Sequence, residues 1–373
     1  MGGSSMGIWR PRRPWPASVA VAALMLGVPA RSDAQEPSPS PEPPPEAVAP
    51  LLSPDRVTFR ILPFGSVDVT SRSEDGGHAG FSIGPFDLYM TSRLSEHWSA
   101  IGELVFENGD NSLATDLERI LIGWQASDHL RLRVGREHNP IVRWNTALHH
   151  GLYMQTPVER PSMARFEDDG GPWPVHFVGL LADGRAGSIG LQYGAAVGNG
   201  RGAIPDEVQV TFDRNGNKAV TAWLGLAPPG LVGLDISLTG YADRLPAEAG
   251  ELRERAWTLS GSYLSGPWEV RSEYGQIHHE ATDAGPSNQT EGFYALAGYG
   301  LRHGTVKPYL MFDHMDVPEA DPFFAGIPDR EGWVIGVRWD PDPRAALKAE
   351  YTSQRVGEGD RTSTVRAQLA VSF

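Results

Sequence analysis

Histidine, carboxylate and arginine crowd one part of this sequence. His138, His149, His150 and His176 are nitrogen donors that could hold a metal, but their spacing fits no standard zinc pattern and the chain has no cysteine. Structural hydrogen bonding is their expected role, as it is for His278-His279, and no metal or other cofactor is expected. Glu167-Asp168-Asp169-Gly170-Gly171 sets oxygen ligands beside glycines, without the alternation of an EF-hand loop. Asp213-Arg214-Asn215-Gly216-Asn217 reads as a hairpin turn. Serines and histidines are scattered with no evident nucleophile–base grouping, so no catalytic residue is assigned and the chain is not expected to be an enzyme.

Arg143, Arg160 and Arg165 share the segment 137–173 with Glu167, Asp168 and Asp169. A loop of that length in a compact protein is usually functional or disordered. Trp144, Tyr153, Met154, Phe166 and Trp173 give it too many apolar anchors for disorder. If it folds into a lumen, these six charged residues would form a neck whose opposed signs set a transverse field and filter ions.

The elements around this segment repeat with a period of two. Val365, Ala367, Leu369, Val371 and Phe373 alternate with Arg366, Gln368, Ala370 and Ser372. Trp333, Ile335, Val337 and Trp339 alternate with Val334, Gly336 and Arg338, and Leu130, Leu132 and Val134 with Arg131 and Arg133. Period two puts one face of each strand against an apolar medium and the other against water. Runs of about ten residues suit a tilted transmembrane strand. Roughly sixteen such runs occur between residues 56 and 373, which predicts an all-β fold, a transmembrane antiparallel β-barrel. Tight connections such as Ser265-Gly266 and His303-Gly304 alternate with long polar ones such as 198–216 and 317–329. Strand parity points Arg131, Arg133, Lys307, Arg338, Lys348 and Arg366 into the lumen.

The N-terminus has a different character. Arg10, Arg12 and Arg13 precede an apolar stretch from Ala17 to Val28, and Ser32-Asp33-Ala34 offers small residues for cleavage. Residues 1–34 therefore read as an export signal, with Val28-Pro29-Ala30 a second cleavage candidate. Residues 35–55 are proline-rich and read as an extended periplasmic linker. The net charge is -14; without residues 1–34 it becomes -17, from 28 basic and 45 acidic residues. Such a balance argues against a nucleic-acid partner. Mean hydropathy is -0.30, ordinary for a barrel in which only alternate residues meet lipid.

Phe373 at the end of an alternating strand resembles the C-terminal signature of bacterial outer-membrane barrels, which implies recognition by the barrel-assembly machinery. A second likeness runs through Gly135-Arg136-Glu137-His138-Asn139-Pro140, Trp144-Asn145-Thr146-Ala147-Leu148-His149-His150-Gly151, Arg160-Pro161 and Pro174-Val175-His176-Phe177-Val178-Gly179. These stretches resemble porin-like outer-membrane proteins related to the phosphate-selective porins. That family's anion selectivity rests on basic residues at the constriction; here Glu159, Glu167, Asp168 and Asp169 stand among the arginines, and lysine is scarce. The resemblance implies an outer-membrane location, lipid around the wall and a homotrimer. The expected function is passive diffusion of ions and small hydrophilic solutes. A barrel enzyme acting on lipid or peptide, and a non-conducting structural or adhesive barrel, are the alternatives.

Overall fold

The computed structural model describes residues 57–373, except positions 75, 110–111, 149–150, 208–211, 214–215, 248–249 and 282–286. The expected export signal 1–34 and the proline-rich stretch 35–55 lie outside the described residues, as do His149, His150, Arg214 and Asn215.

The chain runs up and down as β1 (Thr58–Arg72), β2 (Ala79–Ile83), β3 (Phe86–Arg93), β4 (Trp98–Gly109), β5 (Ser112–Ser127), β6 (Leu130–His138), β7 (His176–Ala186), β8 (Leu191–Gly198) and β9 (Ala219–Leu226). It continues as β10 (Leu234–Ala247), β11 (Gly250–Ser265), β12 (Trp268–Ala281), β13 (Ser287–Tyr299), β14 (Val306–Asp316), β15 (Arg330–Asp342), β16 (Ala345–Val356) and β17 (Thr362–Ser372). Neighbours pair antiparallel, and β1 pairs with β17 from Phe64↔Ser372 to Arg72↔Thr364, so the sheet closes on itself. β2 and β3 both lie on the other flank of β1, at Val67↔Ile83 and Pro63↔Leu88. They are two pieces of one stave, interrupted at Gly84-Pro85, where proline has no N–H for the ladder. Counted once, they give the closed sixteen-stranded antiparallel barrel that the alternation predicts.

Burial is inverted relative to a water-soluble protein. On β15, Ile335 is 57% exposed while its neighbour Val334 is 5% exposed; on β12, Glu273 is only 2% exposed. Trp98, Trp268, Tyr299, Trp333 and Trp339 stand on the outer face with Leu180, Leu224, Leu238 and Leu347. A contiguous apolar exterior of this kind suits lipid, with aromatic rings near the borders. Closure suits it too: a free edge in lipid would leave backbone groups unpaired at several kcal/mol each.

Tight turns cluster at one end: 94–97, 128–129, 187–190, 266–267 and 343–344. Gly190 shows why they can be tight: its φ of 72° is left-handed, and an added Cβ would collide with the Ala227 carbonyl. The longer connections 139–175, 199–218 and 317–329 sit at the other end.

Candidate functional site

The third long-end loop leaves β6 at His138 and returns at His176, so it spans 139–175. Its first turn is a short helix, α1 (Arg143–Leu148). The first amides of a helix lack internal partners. Here Glu273 of β12 accepts the N–H of Trp144 at 2.8 Å and of Arg143 at 3.1 Å. The pattern repeats along the loop. Thr258 of β11 donates to the Ile141 carbonyl, Thr156 donates to Glu269 at 2.7 Å, and Val158 N–H donates to Glu350 at 2.8 Å. Ser162 N–H donates to Asp313 at 3.0 Å. Cations of the wall take the loop carbonyls: Arg338 donates to Tyr153 and Gln155, at 2.6 and 2.9 Å, and Lys348 to Leu152 and Pro157.

These partners belong to the inner faces of β11, β12, β14, β15 and β16. The loop is thus laid against the inside of the wall. Its apolar residues press the same way. Trp144 meets Tyr294 edge-on, with ring centroids 5.5 Å apart. Trp173 fits beside Gly275 and Gly292, and a Cβ on Gly292 would stand 2.6 Å from its ring.

The charged residues of the loop fall into two places. Arg165 pairs with Asp169 at 2.8 Å and approaches Glu159 at 3.8 Å, and Glu159 in turn pairs with Arg366 of β17 at 2.5 Å. Arg160 stacks on the Phe166 ring at 3.8 Å and donates to the Ala164 carbonyl. Burial pushes its pKa down to about 10. Glu167 is buried, accepts the Val175 N–H at 2.8 Å, and is pushed up to about 7 by that burial. Asp168 is raised as well, first by burial. Arg143 stands apart: it reaches Asp235 of β10 at 3.3 Å, over a cavity of about 440 Å³ that Arg271, Glu273 and Ser260 also line. The structure therefore gathers Arg160, Arg165, Glu167, Asp168 and Asp169, and leaves Arg143 to a separate chamber.

Across the lumen, strands β3–β7 carry their own charges. Arg119 bonds Glu103 and approaches Glu137 at 3.7 Å, and its guanidinium lies 5.0 Å from the Tyr89 ring centre. Arg133 pairs with Glu137 at 2.6 Å, and Arg131 with Asp183 at 2.7 Å. On the loop side Lys307 pairs with Glu269 at 2.7 Å and Arg338 with Asp340 at 2.8 Å. Arg119, Arg131, Arg133, Lys307 and Arg338 thus each meet a carboxylate, whereas Lys348 meets loop carbonyls.

At the long-loop end a second loop is tied in. His279 of β12 bridges Asp321 at 2.7 Å and Glu254 of β11 at 2.8 Å, and Arg201 joins Glu254 at 3.0 Å beside Phe323. This is a hydrogen-bonded histidine, the role expected for it.

Sequence reasoning missed Glu269, Glu273, Asp313 and Glu350. Their signal was a carboxylate at an inward position of an otherwise ordinary strand. It also passed over Gly80-Phe81-Ser82-Ile83-Gly84, which has the spacing of a nucleophile elbow. Ser82 lies within β2, paired with Asp68, and not at a strand-to-helix turn, so the spacing carries no elbow. Gly3-Ser4-Ser5-Met6-Gly7 has the same spacing and lies outside the described residues.

No family model and no curated protein matches the chain. Solved structures do. The anion-selective porin from Comamonas acidovorans is 14% identical with a TM-score of 0.63, over 85% of this chain and 100% of that one. The in-vitro folded, trimer form of OmpT, an outer membrane protein of Vibrio cholerae, is 11% identical with a TM-score of 0.58, over 85% and 99%. The outer membrane channel DcaP of Acinetobacter baumannii is 11% identical with a TM-score of 0.58, over 87% and 100%. At these identities the likeness shows the fold: the chain has the sixteen-stranded barrel architecture of porin structures.

Proposed function

We propose that this chain is an outer-membrane channel through which ions and small hydrophilic solutes diffuse passively. The observation that carries the reading is the loop 139–175, bonded along the inner wall of a closed barrel with an apolar exterior. It narrows the lumen by its own thickness and presents Asp169 and Glu159 toward water, paired with the more buried Arg165 and with Arg366 of β17, opposite the charged residues of β3–β7. Arg131, Arg133, Lys307, Arg338 and Lys348 keep the wall polar. Because Arg131, Arg133, Lys307, Arg338 and Arg366 each have a carboxylate beside them, the filter is a weak one and discriminates by size more than by sign. That pairing favours general diffusion over a phosphate-selective lining.

Residues 1–34 would direct export and 35–55 would act as a periplasmic spacer. Phe373, whose N–H donates to the Pro63 carbonyl at 3.1 Å, would be the mark read by the assembly machinery. One of the similar structures is a trimer form, which supports three copies of this chain in the membrane. The test is conductance in planar bilayers. Stepwise, nearly ohmic currents from the folded protein are expected; folded protein that inserts and passes no current would end the channel reading. Light scattering of the detergent complex tests the trimer.

A further inference from the structure

His138 is the last residue of β6 and His176 the first of β7, and they are register partners across the ladder. The whole third loop is strung between them. Their rings lie 5.4 Å apart, nearly edge to face. Glu118 joins them from β5, with an oxygen 2.5 Å from His176 Nε2. It arrives there through a slip in the β4–β5 register: Glu103 pairs with Arg119 and Leu104 with Leu117, so Glu118 is the extra residue of a β-bulge. Bulges re-aim a side chain that regular alternation would point elsewhere.

The result is one ligand atom from each of three adjacent strands, all within 4.8 Å of one another. The side chains of Glu118 and His176 are each only 5% exposed, and His138 is 2% exposed. We propose that Glu118, His138 and His176 form a binding site for a divalent transition-metal ion, zinc by preference. Two imidazoles and one carboxylate are a donor set that zinc takes at about 2.0–2.2 Å, with a fourth position left for water. Calcium and magnesium prefer oxygen alone. The surroundings are acidic as well: Asp116, Glu118, Glu167, Asp168 and Asp169 act on one or both of Arg136 and Arg160, five acids beside three guanidiniums when Arg165 is included. The ion would fasten β5, β6 and β7 together where the loop is rooted. Linear spacing hid the site because each strand supplies a single ligand, 20 and 38 positions apart.

The site stands whether or not the barrel conducts, and it is tested by binding alone. The full-length folded protein, stripped with chelator in detergent, is titrated with Co²⁺ by visible absorption and with Zn²⁺ by calorimetry. One equivalent is expected, with the intense absorption of four-coordinate cobalt, displaced by zinc. His138→Ala and His176→Ala should each weaken zinc binding by about 100-fold or more, and His278→Ala should leave it unchanged. X-ray absorption of the zinc-loaded wild type should show two imidazoles with oxygen, a readout that needs no variant to fold. Absence of saturable binding, an all-oxygen shell, or unchanged affinity in either folded histidine variant would overturn the proposal.

Discussion

Asp313, on the inner face of β14, accepts both the backbone N–H and the hydroxyl of Ser162, a residue 151 positions earlier in the chain. A strand carboxylate thus holds a loop that the same sheet encloses. Removing such a buried acceptor leaves a donor without its partner, at about 1–3 kcal/mol. Asp313→Ala should therefore loosen the segment around Ser162 while the barrel stays closed. Hydrogen exchange at the Ser162 amide should rise by about 10-fold or more, and single-channel current noise should increase. Equal protection in the variant would show that Asp313 is not what fixes the loop.

In the proposed channel, the Arg165–Glu159–Arg366 cluster is where selectivity would be set. Replacing Arg165 and Arg366 together by alanine strips Glu159 and Asp169 of their counter-charges. The reversal potential in a salt gradient should move toward cations. Arg143→Ala, in its separate chamber, should move it less. If the double variant keeps the wild-type potential, ions do not pass this cluster.

The buried Glu167 makes the loop sensitive to pH. Its folded-state pKa of about 7 lies above the ordinary 4.5, so the fold prefers the neutral acid. The penalty for ionising it is absent below about pH 4.5, grows between 4.5 and 7, and is complete above 7. Limited proteolysis within 139–175 should accordingly be slower at pH 5 than at pH 8, and Glu167→Gln should flatten that difference. A wild-type loop cut equally fast at both values would contradict this assignment.

Phe373 packs its ring 6.2 Å from that of Phe86, on the outer face near the tight-turn end. Phe373→Ala should lower the yield of folded barrel in cells, read as the heat-modifiable band on gels, more than it lowers the stability of protein already folded. Equal losses in both would mean that the ring matters for packing and not for recognition.

Much of the wall was legible from residue order. The Trp333–Trp339 and Val365–Phe373 alternations fix which face meets lipid, and Ser265-Gly266 or His303-Gly304 mark the tight end, because these signals are local. The loop's bulk could be read from Trp144 and Trp173. Its attachment could not. Val158 meets Glu350, 192 positions away, and Trp144 meets Glu273, 129 away. Those partnerships depend on which staves face one another across a lumen, and no period reports that. Glu118 was hidden for a related reason: a bulge is a one-residue slip that only the pairing with β4 reveals. Arg143 pairs with Asp235 of β10 and not with the acids beside Arg165, which nearness in sequence did not report.

The seam between β1 and β17 ties Asp68 to Gln368, 300 positions apart. Until that last stave exists, every shorter nascent form of this sheet has two raw margins, each a template for a stranger's backbone. The cylinder can therefore be sealed only in one late act, once β17 joins β1. A seam weakened at Asp68 should betray itself as clumping of the unsealed polypeptide, more than as a defect in the finished cylinder.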